Sequence, residues 1–306
     1  MSINWFPGHM HKAAKEMRKL VDKMDMVIEV LDARIPYSSD NPLLAEIRSD
    51  MPCIKILNKS DLADSALTTI WQKFLEQQES VKTISVDQHQ RDFSSKLIHL
   101  IDKLTPASRS SDNPVQAMIM GIPNVGKSSL INKLASKAIT KTGNEPAVTK
   151  QQQQIKVNDT LTLFDTPGML WPKFADPNIG YRLALTGAIR DTAIEYDDIA
   201  FFAADYFINK HPQALKERYG LSVLPDTELA LLEQIGTKRG CLTAGKRVDL
   251  LKVSRLLVHD YRDGSLGRIT LETPVDKEKE QAEAAEFQRQ RLAKKHERKK
   301  NYRNTK

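Results

Sequence analysis

The chain has 306 residues, of which 40% are hydrophobic and 28% charged, and a formal net charge of +7, which accommodates one ordinary domain and a smaller one. Cys53 and Cys241 lie in apolar segments, which is more typical of buried thiols in a reducing compartment than of a disulfide or metal site. There is no basic-then-apolar leader, and the apolar run at 199–204 is too short to cross a bilayer, so we expect a cytoplasmic protein without a membrane partner.

Strand and helix patterns alternate over the first half of the chain. Residues 1–24 are basic and predict a helical lead entered through a turn at residues 5–8. Apolar runs predict strands at 26–31, 53–57, 81–85, 115–120, 154–157 and 161–164, and helical spacing predicts helices at 42–48, 65–78, 94–104 and 127–134. This alternation is typical of an α/β fold with a mostly parallel sheet flanked by helices.

The pattern changes after Trp171 and Pro172. Helical spacing recurs at 179–187, 192–208, 213–219, 227–236 and 248–261. We therefore expect a first domain over residues 1–175 and a smaller, all-helical C-terminal domain over 176–275. Six basic residues offer the helical domain a candidate nucleic-acid face, and the alternative is charge scattered over solvated helices: Lys238, Arg239, Lys246, Arg247, Lys252 and Arg255.

The positive charge is concentrated at the C-terminal end. Residues 287–306 contain nine Lys or Arg and one Glu, a net charge of +8, so the other 286 residues sum to −1. An acidic stretch at 276–286 precedes them, which favours one helix with a negative start and a positive end. The alternative is a disordered tail that becomes ordered on RNA. Residues 276–306 are thus predicted to be a basic tail, helical or disordered.

The segment GIPNVGKSS at residues 121–129 fits the G-x-x-x-x-G-K-[ST] phosphate loop and lies between a predicted strand and a predicted helix. Glycines let such a loop wrap around phosphates, and the following helix N-terminus favours negative charge. Lys127 should reach the β and γ phosphates, and the Ser128 hydroxyl should bind Mg²⁺. The residues expected around the phosphates are Asn124, Val125, Gly126, Lys127, Ser128 and Ser129.

A DTPG motif at residues 165–168 closes the predicted strand at 161–164. Asp165 is placed to hold Mg²⁺ through water, and the Gly168 amide to meet the γ-phosphate. A DxxG match arises about once by chance in a chain of this length, so it counts only beside the phosphate loop. Thr149, in the polar stretch 140–154, is the candidate switch threonine that closes on Mg²⁺ when a triphosphate is bound.

The NKSD motif at residues 58–61 predicts guanine recognition. The Asp61 carboxylate can accept hydrogen bonds from the ring N–H and the exocyclic amine of guanine, whereas adenine lacks that donor pair, which disfavours an ATPase. Asn58 and Lys59 would buttress the base and the phosphate loop, and Ser85 fits an accessory guanine contact. By itself, NKSD could also be a simple turn at a strand end. The expected base-site residues are Asn58, Lys59, Ser60, Asp61, Ser85 and Val86.

The order of these motifs is unusual, because the base-reading pair precedes the phosphate loop. A GTPase ordinarily has the phosphate loop, switch threonine, DxxG, NKxD and accessory serine in that order. We therefore expect a circularly permuted P-loop GTPase domain. Such a permutation costs little when the termini of a domain lie close together, and a site built from strand ends does not depend on strand order along the chain.

With these motifs in place, the chain resembles the circularly permuted GTPases of the ribosome biogenesis GTPase A family. The matching segments, which cover nearly the whole chain except the last thirty or so residues, are WFPGHMHKA (5–13), LDARIP (31–36), NKSD, GIPNVGKSSLIN, LFDTPGML and, more weakly, LTGAIRD (185–191) and YRDGSLGRITLE (261–272).

The resemblance implies a GTP-hydrolysing factor in late assembly of the large (50S) ribosomal subunit. It implies GTP or GDP with Mg²⁺ as ligands, the subunit precursor and 23S-type rRNA as partners, and a helical RNA-binding domain after the GTPase domain. We expect a monomer. The alternative is a regulatory GTP-binding switch in RNA modification or stress signalling.

The residue after DxxG complicates catalysis. Many GTPases place there a glutamine that orients water, but here Met169 and Leu170 follow Gly168, as the family pattern also has it. We therefore expect weak hydrolysis that a ribosomal partner stimulates. By resemblance to related GTPases, Asn124 is a candidate K⁺ ligand, unless it only stabilises the loop turn. His9 is a candidate for orienting water, unless it is a surface or RNA-contacting histidine. The candidate catalytic residues are His9, Lys127, Thr149 and Gly168.

Overall fold

The computed structural model describes residue 3 and residues 5–87, 92–105, 113–135 and 153–304. Its described strands form one sheet in the order β3-β2-β1-β4-β6-β5. All neighbouring strands are parallel except the edge strand β5, which is antiparallel to β6. The bounds agree with the predicted ones to within one residue: β1 (Met26–Asp32), β2 (Cys53–Asn58), β3 (Val81–Val86), β4 (Val115–Gly121), β5 (Gln153–Lys156) and β6 (Leu161–Asp165).

The central strands are buried because helices cover both faces of a parallel sheet. Every residue of β1 and of β2 is buried, including the charged residues Glu29 and Lys55. The Lys55 amine lies 3.3 Å from the Glu29 carboxylate and 2.7 Å from Asp40 Oδ1. These two strands therefore contain charged groups that are compensated by one another inside an otherwise apolar core.

Helices flank this sheet in the positions that the apolar spacing predicts. Two of them begin at side-chain caps: the Asn41 and Asp64 side chains accept the Leu43 and Leu67 amides, at 2.9 Å and 2.8 Å. The bounds are α1 (Gly8–Leu20), α2 (Pro36–Ser39), α3 (Pro42–Arg48), α4 (Ser65–Leu75), α5 (Phe93–Leu104) and α6 (Lys127–Leu134).

Helix α4 ends three residues earlier than the spacing predicts. Its last buried residue is Leu75, and the next residue, Glu76, accepts hydrogen bonds from the Thr83 amide and hydroxyl at 2.8 and 2.9 Å. This tie to β3 turns the chain into the strand, so the helix does not continue to residue 78.

The second half of the chain is helical as predicted. Helix α8 packs against α7, α9, α10 and α11. Its Phe207 ring lies 5.6 Å from the Tyr261 ring of α11, inside the apolar core that the helices share with the sheet. The bounds are α7 (Pro177–Leu185), α8 (Tyr196–Lys210), α9 (Pro212–Tyr219), α10 (Glu228–Arg239) and α11 (Leu250–Arg262).

Residues 266–272, here named the return segment, differ from the expectation of an all-helical region up to residue 275. They form neither helix nor strand and lie against the first half of the chain. The Ile269 amide donates to Leu62 O at 3.1 Å, and the Leu271 amide donates to Arg34 O at 2.8 Å. These backbone hydrogen bonds to Leu62 and Arg34 stabilise the return segment in a non-helical conformation. Contacts of this kind cannot be read from helical periodicity in the sequence.

The predicted tail is helical, in α12 (Pro274–Asn304). Near its start, the Glu280 carboxylate makes two hydrogen bonds to the Arg182 guanidinium of α7 at 2.9 and 2.5 Å. Arg182 also lies 3.2 Å from Glu272, at the end of the return segment. Among the described residues, no helix combines the length and apolar character that a membrane span requires.

Candidate functional site

The carboxyl ends of the parallel strands place the sequence motifs at one edge of the sheet. Asn58 at the end of β2 is in register with Asp32 of β1 and with Val86 of β3. On the other side of β1, Val30 is in register with Gly121 at the end of β4. Ligand sites of α/β folds form where such strand ends diverge.

The phosphate loop runs from Gly121 to the first residue of α6, Lys127. Gly126 precedes the helix with a φ of +99°, and Asn124 has a left-handed φ of 56°. No side chain caps the N-terminus of α6, so its first amides face outward from the helix. An uncapped helix N-terminus of this kind suits an anion.

Glycine is required here because the loop lies close to the neighbouring strands. A Cβ at Gly121 would lie 2.5 Å from Val30 O, and one at Gly126 would collide with the Asn58 amide nitrogen. A Cβ at Gly168, in the DTPG motif, would lie 2.7 Å from Pro123 Cα and 3.1 Å from Lys127 Nζ. The three motif glycines therefore let the phosphate loop, the neighbouring strand ends and the DTPG segment approach one another closely.

Lys127 is buried at the start of α6. Its amine donates to Gly121 O at 3.1 Å and to Ile122 O at 2.9 Å. Burial lowers the pKa of this amine to about 8, against the opposing effect of the Asp165 carboxylate. A nearby phosphate would restore the pKa and replace the two carbonyls as the partner of the ammonium.

The DTPG segment is attached to the start of the phosphate loop by a backbone hydrogen bond and to β4 by a side-chain hydrogen bond. The Met169 amide donates to Gly121 O at 3.2 Å, and the Thr166 hydroxyl donates to Ile119 O at 2.8 Å. Asp165 is fully buried at the end of β6. Ser128, half-buried in the first turn of α6, offers a hydroxyl, and Ser129 beside it is exposed.

Carboxylate and hydroxyl oxygens are the ligands that Mg²⁺ prefers, so Asp165 and Ser128 fit the predicted metal role. The third predicted ligand, Thr149, lies outside the described residues.

The NKSD motif reaches the phosphate loop through Asn58. Its buried side chain donates from Nδ2 to Val125 O at 2.7 Å, which joins residues 67 positions apart in the chain. The base-reading segment and the phosphate loop are therefore fixed relative to each other, as one nucleotide site requires.

We expected Lys59 to contact the phosphate loop, but its side chain contacts Asp32 instead. Its amine donates to Asp32 Oδ2 at 2.9 Å, and Arg34 donates to both carboxylate oxygens of Asp32 at 3.0 and 2.8 Å. Burial disfavours the charged carboxylate, but Arg34 and Lys59 outweigh it and hold the pKa of Asp32 well below its ordinary value. This ion cluster stabilises the turn that carries Asp61.

A cavity of about 260 Å³ lies beside Asp61. It brings Asp61 and Ser85 together, as the guanine-site prediction requires. Because the Val86 side chain is buried, this residue could contact a base at the cavity only through its backbone. The lining residues that bear on recognition are Ser60, Asp61, Thr68, Ser85, Asp87 and Arg268.

The two candidate catalytic helpers lie at different places. The Asn124 side chain donates to Gly187 O at 2.8 Å and so contacts the loop that follows α7. His9 is exposed at the start of α1, with its ring centroid 6.5 Å from that of Trp5. The next residue, Met10, accepts the Leu170 amide at 3.5 Å through its sulfur, so the start of α1 adjoins the DTPG segment. Met169 and Leu170 are fully buried.

Sequence reasoning missed three residues of this region. Asp32 and Arg34 form the ion cluster under the NKSD turn, and Arg268 of the return segment reaches the cavity beside Asp61. These three residues lie in the segments LDARIP and YRDGSLGRITLE, which carried the family resemblance. Only the packing of segments distant in sequence shows that their side chains belong to the site.

Comparison with known proteins agrees with this geometry. Residues 116–222 match the family model described as "50S ribosome-binding GTPase". The protein named "Ribosome biogenesis GTPase A" of Priestia megaterium is 42% identical over 286 residues, covering 91% of this chain and 99% of its own. Its namesake of Bacillus pumilus is 44% identical over 282 residues, covering 90% of this chain and 99% of its own.

A solved structure, "Crystal structure of GNP-bound YlqF from T. maritima", has a TM-score of 0.60 and 24% identity, and covers 86% of this chain and 98% of its own. Such a likeness establishes the fold. Because the sequence relatives match over nine tenths of its length, the chain belongs to the ribosome biogenesis GTPase A family.

Proposed function

We propose that this protein is a circularly permuted GTPase that binds GTP, hydrolyses it to GDP and phosphate, and acts in late assembly of the large ribosomal subunit. The observation that carries the proposal is the hydrogen bond between Asn58 and Val125 O, beside a cavity lined by Asp61 and Ser85. It supports one nucleotide spanning a base site encoded early in the chain and a phosphate loop encoded late.

In this proposal, each part of the site has a separate task. The Asp61 carboxylate accepts hydrogen bonds from guanine, and the amides at the start of α6 together with Lys127 bind the phosphates. Ser128, Asp165 and Thr149 are the residues that would hold Mg²⁺, which supplies neutralisation of phosphate charge when bound. The Gly168 amide meets the γ-phosphate.

The residue after the DTPG motif offers the attacking water no polar group, because buried Met169 replaces the usual glutamine. His9 adjoins that segment through Met10 and is exposed, so a ribosomal partner covering α1 would enclose it. We propose the same dependence on a partner for Asn124 and K⁺: the Asn124 amide group now bound to Gly187 O would turn its oxygen to a cation beside the phosphates.

Asp61→Asn tests the base site. An asparagine amide replaces an acceptor by a donor, so affinity for GTP should fall about 100-fold or more while xanthosine triphosphate, with a carbonyl in place of the exocyclic amine, gains affinity. Asp226→Asn, an exposed aspartate of the helical region, is the matched control. Unchanged preference for GTP in the Asp61 variant would refute the proposal.

Assembly and RNA contact need separate experiments. The six basic residues proposed for a nucleic-acid face, from Lys238 to Arg255, are all exposed, as are Lys12, Lys15 and Lys19 of α1. We expect the protein to co-sediment with immature large subunits under GTP but not GDP, with binding that weakens steeply as salt rises. A stable non-ribosomal partner instead would favour the regulatory alternative.

His9→Ala tests the proposed positioning of water. Phosphate release stimulated by immature subunits should fall in this variant while GTP affinity stays as in the wild type. Rapid hydrolysis by the isolated wild-type protein would contradict the need for a partner.

A further inference from the structure

The cavity beside Asp61 has walls from two distant parts of the chain. One wall comes from the NKSD turn, α4 and the end of β3, and the other is Arg268 of the return segment. These parts are about two hundred residues apart in sequence. The cavity proposed to receive guanine therefore includes a residue from the segment between α11 and α12.

The return segment is fixed to the residues that directly follow Asp61. The Ile269 amide donates to Leu62 O at 3.1 Å, and the Asp64 amide donates to the Thr270 hydroxyl at 3.1 Å. Ile269 and Thr270 are buried, whereas Arg268 is exposed. Buried neighbours thus anchor the backbone while the arginine side chain lies at the cavity.

The chemistry of the cavity suits a guanidinium beside a purine. Asp61 and Asp87 are its acidic lining groups, and among the lining residues described Arg268 is the one cation. In the described part of the chain, the Arg268 side chain takes part in no hydrogen bond or ion pair. A guanidinium stacks on aromatic faces and donates to acceptors such as the O6 and N7 atoms of guanine.

We propose that Arg268 contacts the purine of a bound guanine nucleotide, so that the base site is complete only while the return segment is seated beside Asp61. This inference rests on the proposed function, since it assumes that the cavity receives guanine. It adds a specificity residue from outside the GTPase motifs and links nucleotide affinity to the docking of residues 266–272.

Nucleotide titration tests the contact. Arg268→Ala should weaken the binding of both GDP and GTP by the same factor, about threefold to tenfold, because the base is common to both. Arg268→Lys, which keeps the charge without the planar group, should recover only part of the loss. Arg289→Ala, an exposed arginine of α12, is the matched control and should bind as the wild type does.

Two results of this titration would overturn the proposal. One is wild-type affinity of Arg268→Ala for both nucleotides. The other is a loss confined to GTP and fully restored by lysine, since that pattern indicates attraction of phosphate by charge alone.

Hydrogen exchange tests the link to the return segment. Saturating GDP should slow exchange of the Ile269 and Leu271 amides in the wild-type protein, because a ligand that binds only the seated state stabilises it. In Arg268→Ala the exchange without GDP should be unchanged, which shows an intact fold, while the protection by GDP disappears. Protection that persists in this variant would overturn the link.

The Asp61→Asn experiment distinguishes the two levels of inference. If Asp61→Asn alters base preference but Arg268→Ala binds normally, only the role of Arg268 fails. If Asp61→Asn leaves base preference unchanged, the guanine site itself fails.

Discussion

The proposed base-binding half of the site, at the ends of β1, β2 and β3, is fixed by contacts between charged side chains. In the proposed phosphate-binding half, at the ends of β4 and β6, backbone carbonyls accept the fixing contacts. In the first half, Arg34 and Lys59 surround the buried Asp32 carboxylate. In the second, the Met169 amide and the Lys127 amine both donate to Gly121 O.

This difference predicts different sensitivities for the two halves. A half held by close backbone approach tolerates no added atoms at its glycines. A half held by buried charges tolerates small changes in volume but not the loss of a partner, and its stability depends on pH. Four substitutions separate these properties.

Gly126→Ala should have the largest effect. The new Cβ would collide with the Asn58 amide that joins the two halves, and the φ of +99° is strained for alanine. We expect guanine nucleotide binding to fall about 100-fold or more, measured by fluorescent nucleotide titration, since a strained backbone and a lost buried hydrogen bond add.

Gly245→Ala is the control for this substitution, because its Cβ would meet only Thr243 Oγ1 at 4.0 Å. Near-normal binding by the Gly126 variant would show that the loop adapts and that the two halves do not differ as described.

Arg34→Ala should destabilise the base-binding half strongly. It removes one of two cations from the buried Asp32 carboxylate, together with a hydrogen bond to Arg262 O at 3.2 Å. We expect the free energy of unfolding to fall by about 3 kcal/mol in urea denaturation. Arg18→Ala removes an exposed ion pair with Glu46 and should cost under about 1 kcal/mol. Equal effects of the two substitutions would contradict the role given to the buried cluster.

Glu29→Gln should change the pH dependence of stability. The pKa of Glu29 is raised to about 7, mainly because the carboxylate is buried. The negative charge of Asp40 also raises this pKa, whereas Lys55 and Arg48 lower it. A raised carboxylate pKa stabilises the fold below the unfolded pKa of about 4.5, and that stability is lost as the pH rises through about 7.

The glutamine variant lacks this loss, so its unfolding free energy relative to wild type should increase by about 1–3 kcal/mol between pH 4.5 and 8. Urea denaturation at several pH values measures the difference. A difference that is constant with pH would show that Glu29 stays charged in the folded protein throughout this range.

Asn124→Ala should have the smallest effect on stability, about 1 kcal/mol, because it removes one half-buried hydrogen bond to Gly187 O. If Asn124 is also a K⁺ ligand, the variant hydrolyses GTP equally in K⁺ and Na⁺ buffers. A K⁺ preference that persists in the variant would show that Asn124 is not a K⁺ ligand and has only its structural contact with Gly187 O.

Much of the fold could be predicted because its signals are local. The apolar runs that became β1, β2 and β4 end at polar or glycine residues, so their bounds could be placed to within one residue. The placement of Asp61 and Lys127 at one edge of the sheet followed from motif spacing and from the rule that parallel strands end at one edge.

Other parts depend on contacts between distant residues. The pairing of Leu271 with Arg34 spans more than two hundred residues, and nothing in either segment alone predicts it. Arg268 follows a glycine, and its side chain is exposed like that of any surface arginine. Asp32 and Lys59 carry charges that sequence alone assigns to solvent or to a ligand, until the fold places them together.

The ion pair between Arg182 and Glu280 attaches the first turns of the long helix α12 to α7. From Glu280 to its end at Asn304 the helix extends roughly 36 Å at 1.5 Å per residue. The sequence of this far portion is rich in lysine and arginine. Because Arg182 also pairs with Glu272, one guanidinium joins α12 to the end of the return segment, which lies beside the cavity at Asp61.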